Sequence, residues 1–184
     1  MPDRRVAVTL VAILVTVFAL VARAALRGIG GGHVTIQGNA RPALGKFTGE
    51  IAGVSAKEDG SGNLVFTADL LGKLKMGIRA EHTSEAFECS KFPSAKLSVE
   101  KSKLKMPADK EKASGEVSAK LTLHGVTKPV NVKYVVGRTG SDYHVKSASF
   151  TFKYTDFGVP AIKRVALRVD PEVLITAEGV KLRD

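Results

Sequence analysis

The residues of this chain that could do chemistry are few and stand far apart. There are four histidines, His33, His82, His124 and His144, and one cysteine, Cys89. No His-x-x-x-His or Cys-x-x-Cys pair supplies the spacing that gathers a metal on a helix or a knuckle. There is no nucleophile elbow and no phosphate loop. Asp156 follows Thr155 and reads as a turn former rather than an acid–base residue. The triplet Asp156-Phe157-Gly158 lacks every companion signature of a kinase. A single cysteine cannot form an internal disulfide, so stability falls to the core, where a small thiol ordinarily lies buried. These residues predict no catalytic set and no metal site: the chain is expected not to be an enzyme, and its function to be binding.

The elements that must position any binding site are strands. The chain has 184 residues, 44% hydrophobic and 25% charged, with 18 glycines and no tryptophan. That composition suits a folded domain. Candidate strands are His33–Gln37, Phe47–Ser55, Leu64–Leu71, Leu97–Ser102, Ser114–His124, Lys128–Gly137, Tyr143–Tyr154 and Glu172–Leu182, separated by turn signals such as Glu58–Asn63 and Arg138–Ser141. Val117, Ala119, Leu121 and Leu123 alternate with Glu116, Ser118, Lys120 and Thr122. Val130, Val132, Tyr134 and Val136 do the same against Asn131 and Lys133, and Leu64, Phe66, Ala68 and Leu70 against Thr67 and Asp69. One apolar and one wet face per strand is the pattern of an antiparallel sheet covering a core. Ile78–Phe92 breaks it: Ile78, His82, Ala86 and Cys89 fall at helical spacing, and Pro93 stops the run. The expectation is an all-β fold with a short helical insert. Eight antiparallel strands can close into a barrel, whose interior holds either side chains or one small ligand. Alternation alone leaves both open.

The amino terminus is of another kind. Arg4 and Arg5 precede a 17-residue uncharged stretch, Val6–Ala22, followed by Arg23-Ala24-Ala25. Residues 1–24 read as a signal peptide cut after Ala24 or as an uncleaved membrane anchor, and residues 25–32 as a flexible Gly-rich linker to a domain at 33–184. Either way the domain is expected outside the cytoplasm, periplasmic or secreted, or anchored in the inner membrane. The formal charge of the whole chain is +10; without Arg4, Arg5, Arg23 and Asp3 it is +8. The lysines are spread along the chain and no basic-aromatic motif accompanies them, so nucleic acid is not an expected partner. Attraction to an anionic membrane surface is compatible with this charge.

The segment Leu121-Thr122-Leu123-His124-Gly125-Val126-Thr127-Lys128-Pro129-Val130 resembles the hallmark of the YceI-like family of bacterial polyisoprenoid-binding, lipocalin-like proteins. Phe47–Ile51, Arg79–His82 with Lys91–Ala95, Asp156–Val159 and Glu172–Ile175 are similar to further family elements in the same order. The resemblance covers residue 33 to the end. It implies an eight-stranded antiparallel lipocalin-like β-barrel with helical inserts, an internal apolar tunnel for an isoprenoid chain, a periplasmic setting and, in some members, pairing into a homodimer. Ala80-Glu81 and Asp69–Met76 depart from the family pattern, which leaves the mouth of the pocket and the ligand head group open.

An isoprenoid chain offers almost no hydrogen-bonding groups, so it must be bound by leaving water. Burial contributes about 0.8 kcal/mol per methylene-sized group, or roughly 3–4 kcal/mol per five-carbon unit before ordering costs. Such a site is a lining. The candidates are Phe66, Leu97, Val99, Leu121, Leu123, Val132, Tyr134, Phe150, Phe152 and Phe157, with His82 and His124 as polar residues near the motifs. By position His124 reads first as a hydrogen-bonded residue beside the Gly125 turn, and His82 as a core histidine. Three functions remain in view. One is a carrier of an isoprenoid-type lipid, polyprenyl or quinone-like, with no other cofactor. The second is a filled structural or stress-response barrel without a ligand. The third is a quinone- or haem-linked redox partner.

Overall fold

Strands with one apolar face need a hydrogen-bonded neighbour on each edge, and in the computed structural model these neighbours run all the way round. The structure describes residues 25–42, 45–71, 73–75, 80–164 and 167–184. The amino-terminal segment 1–24, Ile78 and Arg79 lie outside the described residues.

The elements are β1 (Arg27–Gly30), β2 (His33–Pro42), β3 (Gly45–Ala52), β4 (Ser55–Glu58), β5 (Asn63–Asp69), β6 (Leu74–Lys75), α1 (Ala80–Ala86), β7 (Ser94–Glu100), β8 (Lys112–Leu123), β9 (Val126–Thr139), β10 (Asp142–Lys153), β11 (Lys163–Arg164), β12 (Leu167–Val169), β13 (Glu172–Glu178) and β14 (Lys181–Arg183). Eight staves form a closed antiparallel barrel: β1–β2, β3–β4, β5–β6, β7, β8, β9, β10 and β13–β14. Each stave pairs with the next in the chain. The last returns to the first, β13 to β2 and β14 to β1. Closure gives every stave a paired neighbour on each side and so removes the long free edges of an open sheet. β11 and β12 form a small ribbon that extends β2 at one end.

Two expected strands, Phe47–Ser55 and Glu172–Leu182, are broken in two, the first stave has a like break between β1 and β2, and the breaks line up. Gly31 and Gly32 (φ 79° and 90°) separate β1 from β2, Gly53 (φ 75°) separates β3 from β4, and Gly179 (φ 74°) separates β13 from β14. On the neighbouring β10 the register slips between Val145 and Ser147. Backbone bonds stitch this line together: Gly53 N–H to Gly32 O at 3.1 Å, Val145 N–H to Val180 O at 2.8 Å, and Gly179 N–H to Val145 O at 3.0 Å. A Cβ on Gly31 would stand 2.8 Å from Gly179 O. Bulges in register on four adjacent strands bend the wall sharply, which is how a small barrel turns its corners.

This corrects the flexible linker expected at 25–32. Leu26 is only 1% exposed, and Arg27–Gly30 pairs with β14 and touches Lys57 of β4. The glycines supply backbone angles at a bend. The connection from Glu100 to Lys112 folds over the same end, where Tyr134 accepts the Lys105 N–H at 2.7 Å. Nearby, Glu58 accepts the Leu26 N–H at 2.9 Å and the Lys101 ammonium at 2.7 Å, with both charged side chains mostly enclosed. Burial pushes the Glu58 carboxyl up, but the bonds from Lys101 and Leu26 prevail and hold it below the usual glutamate range.

A group whose acidity is strengthened by folding stabilises the fold above its unfolded pKa and loses that contribution as pH falls through the folded value. Glu58→Gln is therefore expected to lower stability by about 1–2 kcal/mol at neutral pH, the scale of lost charge-assisted hydrogen bonds. The gap between variant and wild type should close as pH drops below the range where Glu58 protonates. Thermal melts across an acid pH series check this; a gap independent of pH would contradict the role given to the carboxylate.

Candidate functional site

The barrel interior is hollow. An elongated cavity of about 310 Å³ runs along it, walled by inward residues from the staves. That volume lies at the low end of the range for ligand sites, roughly 300–1,000 Å³. Alternation supplies its wall: Val117 and Leu121 of β8, Val132, Tyr134 and Val136 of β9, and Ala148, Phe150 and Phe152 of β10 face in, while Lys120, Asn131 and Lys133 face out. Small side chains leave the room. Ala68, Ala95, Ala148 and Ala177 all line the space.

The two ends differ. At one, Leu104 and Met106 of the connection before β8 pack against the core cluster that holds Val180 and Leu182, an apolar plug at that end. At the other, the lining comes from α1 and the turns after it (His82, Thr83, Phe87, Cys89) and from the ribbon flanks Ile162 and Val169. His82 both lines the cavity and is 58% exposed, and it stands 3.8 Å from Glu85. It marks the mouth. This corrects its reading as a core histidine: the helix faces the rim rather than the centre.

Ten of the twelve expected residues line the cavity: Phe66, Leu97, Val99, Leu121, Leu123, Val132, Tyr134, Phe150, Phe152 and His82. Phe157 and His124 do not. Phe157 is buried behind the wall, edge-on to Phe152 with ring centroids 5.4 Å apart. His124 lies outside the cavity as a clasp at the mouth end. Its Nδ1 faces the Phe157 carbonyl at 3.2 Å and its Nε2 faces Glu88 Oε2 at 3.0 Å. Both partners are acceptors, so only the doubly protonated ring donates to both.

The hallmark segment has a local reason for its shape. His124 (φ 51°) and Gly125 (φ 75°) are the two central residues of a hairpin between paired Leu123 and Val126, and both take the left-handed angles a two-residue hairpin demands. A Cβ on Gly125 would stand 2.9 Å from the Phe92 ring. Phe92 in turn packs on His124 with centroids 4.5 Å apart. One turn thus ties the helical insert, through Glu88 and Phe92, to the 3-10 turn Tyr154–Phe157. Tyr154 holds the ribbon: its hydroxyl donates to Val169 O and accepts from Ile162 N–H, each at 3.2 Å.

Cys89 is 1% exposed and on the cavity lining, where burial pushes its thiol up, opposed in part by a hydrogen bond with Ser84. Phe87, Leu104, Met106, Ile162 and Val169 were not foreseen as lining. The first four lie in connections and Val169 in the three-residue strand β12, where no alternation marks an inward side. Only their apolar character in otherwise polar segments could have signalled burial.

The family model of the YceI-like domain matches residues 22–180. The chain belongs to this family. Two solved structures share the fold. A polyisoprenoid binding domain from Saccharophagus degradans, implicated in plant cell wall breakdown, is 16% identical with a TM-score of 0.68, over 86% of this chain and 97% of that one. Burkholderia cenocepacia BcnA is 19% identical with a TM-score of 0.56, over 83% and 96%. No curated protein sequence matches the chain.

In this YceI-like domain the hallmark histidine is a clasp of the mouth structure. His124→Ala removes both of its bonds and places a β-carbon residue without local polar support at a positive φ. It is expected to cost about 1–3 kcal/mol. The expected result is a lower melting temperature and earlier tryptic cleavage at Lys91, with His124→Asn less affected because Asn tolerates the same angle. Unchanged cleavage would refute the clasp.

Proposed function

We propose that this YceI-like barrel is a binding and carrier protein for an apolar isoprenoid-type lipid, polyprenyl or quinone-like, held in its central cavity. The reading places it outside the cytoplasm, with no catalytic step of its own. The observation that carries it is the cavity: about 310 Å³ of space walled almost wholly by hydrocarbon. Apolar wall that meets no hydrocarbon forfeits about 25 cal/mol for each Å² left unburied. A ligand that supplies hydrocarbon and asks for few hydrogen bonds restores that loss. Among the described residues no enclosed side-chain polar atom lacks a partner, so nothing on the wall waits for a polar ligand. Polar side chains gather instead at the mouth, where His82 and Thr83 would meet a head group.

Two supports come from relatives. The Saccharophagus domain of the same fold is described as binding polyisoprenoid, and the chain's own family is the YceI-like one. The cavity counts against a filled structural barrel.

The test is an organic extract of purified protein analysed by mass spectrometry, in which a series of isoprenoid chain lengths is expected. Leu121→Glu and Val132→Glu should abolish lipid copurification. Because a buried carboxylate also strains the fold, Ala148→Phe is the companion variant. It fills open space, so it should leave the lipid-free melting temperature equal or higher while reducing bound lipid several-fold. Full lipid content in a folded Ala148→Phe protein, or an extract free of apolar ligand, would overturn the proposal.

A further inference from the structure

The ribbon β11–β12 has two unlike faces. Ile162 and Val169, beside and within it, turn toward the cavity, and Val169 N–H donates to Ile162 O at 3.0 Å. The other face carries a row of cations. Lys163 lies directly opposite Arg168, and Arg168 directly opposite Arg41 of β2. Residues directly opposite in antiparallel strands project from one face with their Cβ atoms about 5 Å apart. Lys46 of β3, opposite Asn39 on the same face of β2, extends the patch. All four are exposed, Arg41 with 71% of its side chain in solvent. Asp170 is the acid bonded to the row among the described residues, with Arg41 Nε at 3.1 Å and Asn39 Nδ2 at 2.9 Å.

Like charges facing each other across strands weaken a sheet. Three in succession across β11, β12 and β2, with Asp170 the acid bonded to them among the described residues, are a local cost that an anionic surface would reverse. The place matters as much as the charge. The row stands at the mouth: Phe87, which follows α1, packs into the same small cluster as Ile162 and Val169. The far end is the plugged one. The domain is basic throughout, but here cations are set side by side next to an opening onto hydrocarbon-lined space.

We propose that this end of the barrel docks on an anionic phospholipid bilayer through Lys163, Arg168, Arg41 and Lys46, with the mouth turned to the membrane. The docking deepens the carrier reading by naming the surface from which the lipid is taken, and for that purpose it rests on that reading. The charge row itself does not depend on what the cavity holds. Each Lys or Arg near such a surface strengthens attachment by about five-fold, and the effect fades beyond the Debye length, about 8 Å at physiological salt.

The test uses the full-length chain with nanodiscs of phosphatidylcholine alone or with roughly a third phosphatidylglycerol, the anionic fraction that sets the surface potential. Acetylation of Lys163 is followed by mass spectrometry against Lys181, an exposed lysine at the plugged end. Docking predicts that Lys163 is acetylated at least about five-fold more slowly on the anionic discs. Lys181 should be unaffected, and high salt should restore the Lys163 rate. Arg41→Gln/Arg168→Gln keeps the Lys163 reporter and should weaken the attachment on the order of twenty-fold. Its melting temperature should not fall by more than the loss of one exposed ion pair. Equal acetylation on both discs overturns the docking. So does protection that survives high salt, which would mark apolar burial, or protection on neutral discs that tracks bound lipid, which would mark the cargo's own head group. Lipid content of the same preparations separates the two claims. Lipid present without protection defeats the docking alone, whereas protection without any lipid defeats the carrier reading alone.

Discussion

The constraint on which this molecule depends is the closed ring of backbone hydrogen bonds. In most small domains the core holds the sheets together, and a void is a defect. Here the ladder from β1–β2 round to β13–β14 fixes the radius of the wall whether or not the middle is filled. Side chains that face inward then decide how much of that radius stays open. With alanines at 68, 95, 148 and 177, they do not fill it.

A fixed radius would still give a plain tube with two alike openings. The line of glycine bends at 31–32, 53 and 179 changes that by folding the wall at one level. The end beyond the bend is closed by Leu104 and Met106, and its frame is secured by the Glu58–Lys101 pair and the Tyr134 hydroxyl. The other end is built from inserted segments, the helical stretch after β6 and the long connection from Tyr154 to Asp170. These have few ladder bonds of their own. They are held by His124, Glu88, Phe92 and Tyr154. A permanent wall, one plugged end and one end assembled from clasped pieces make the two ends of the cavity unlike.

Electrostatics follows the same polarity. The interior carries almost no charge, so it offers nothing to a polar ligand except at the rim. The cations of β2, β11 and β12 stand outside that rim, on the faces opposite Ala40 and Val169. Strand alternation therefore does two jobs in one ribbon: one face continues the apolar lining and the other presents charge to the surroundings.

Much of the wall was legible in the sequence, because a period of two is a local property. Leu121, Leu123, Val132, Tyr134 and Phe150 lie on the lining where alternation puts them; alternation gave antiparallel strands over a core, and the family resemblance implied the closed barrel. The Gly28–Gly32 stretch was misread because composition cannot tell a glycine that is free to move from one locked at positive φ in a bulge. His124 is the hydrogen-bonded residue beside the Gly125 turn that its position suggested, whereas His82 was misread for a related reason: helical spacing gives a face but not what that face meets. The ribbon and the apolar residues of the connections left no periodic trace at all. Whether the interior is open, where it opens and which cations stand beside the opening depend on distances between segments far apart in the chain. Only the closed tertiary structure decided those.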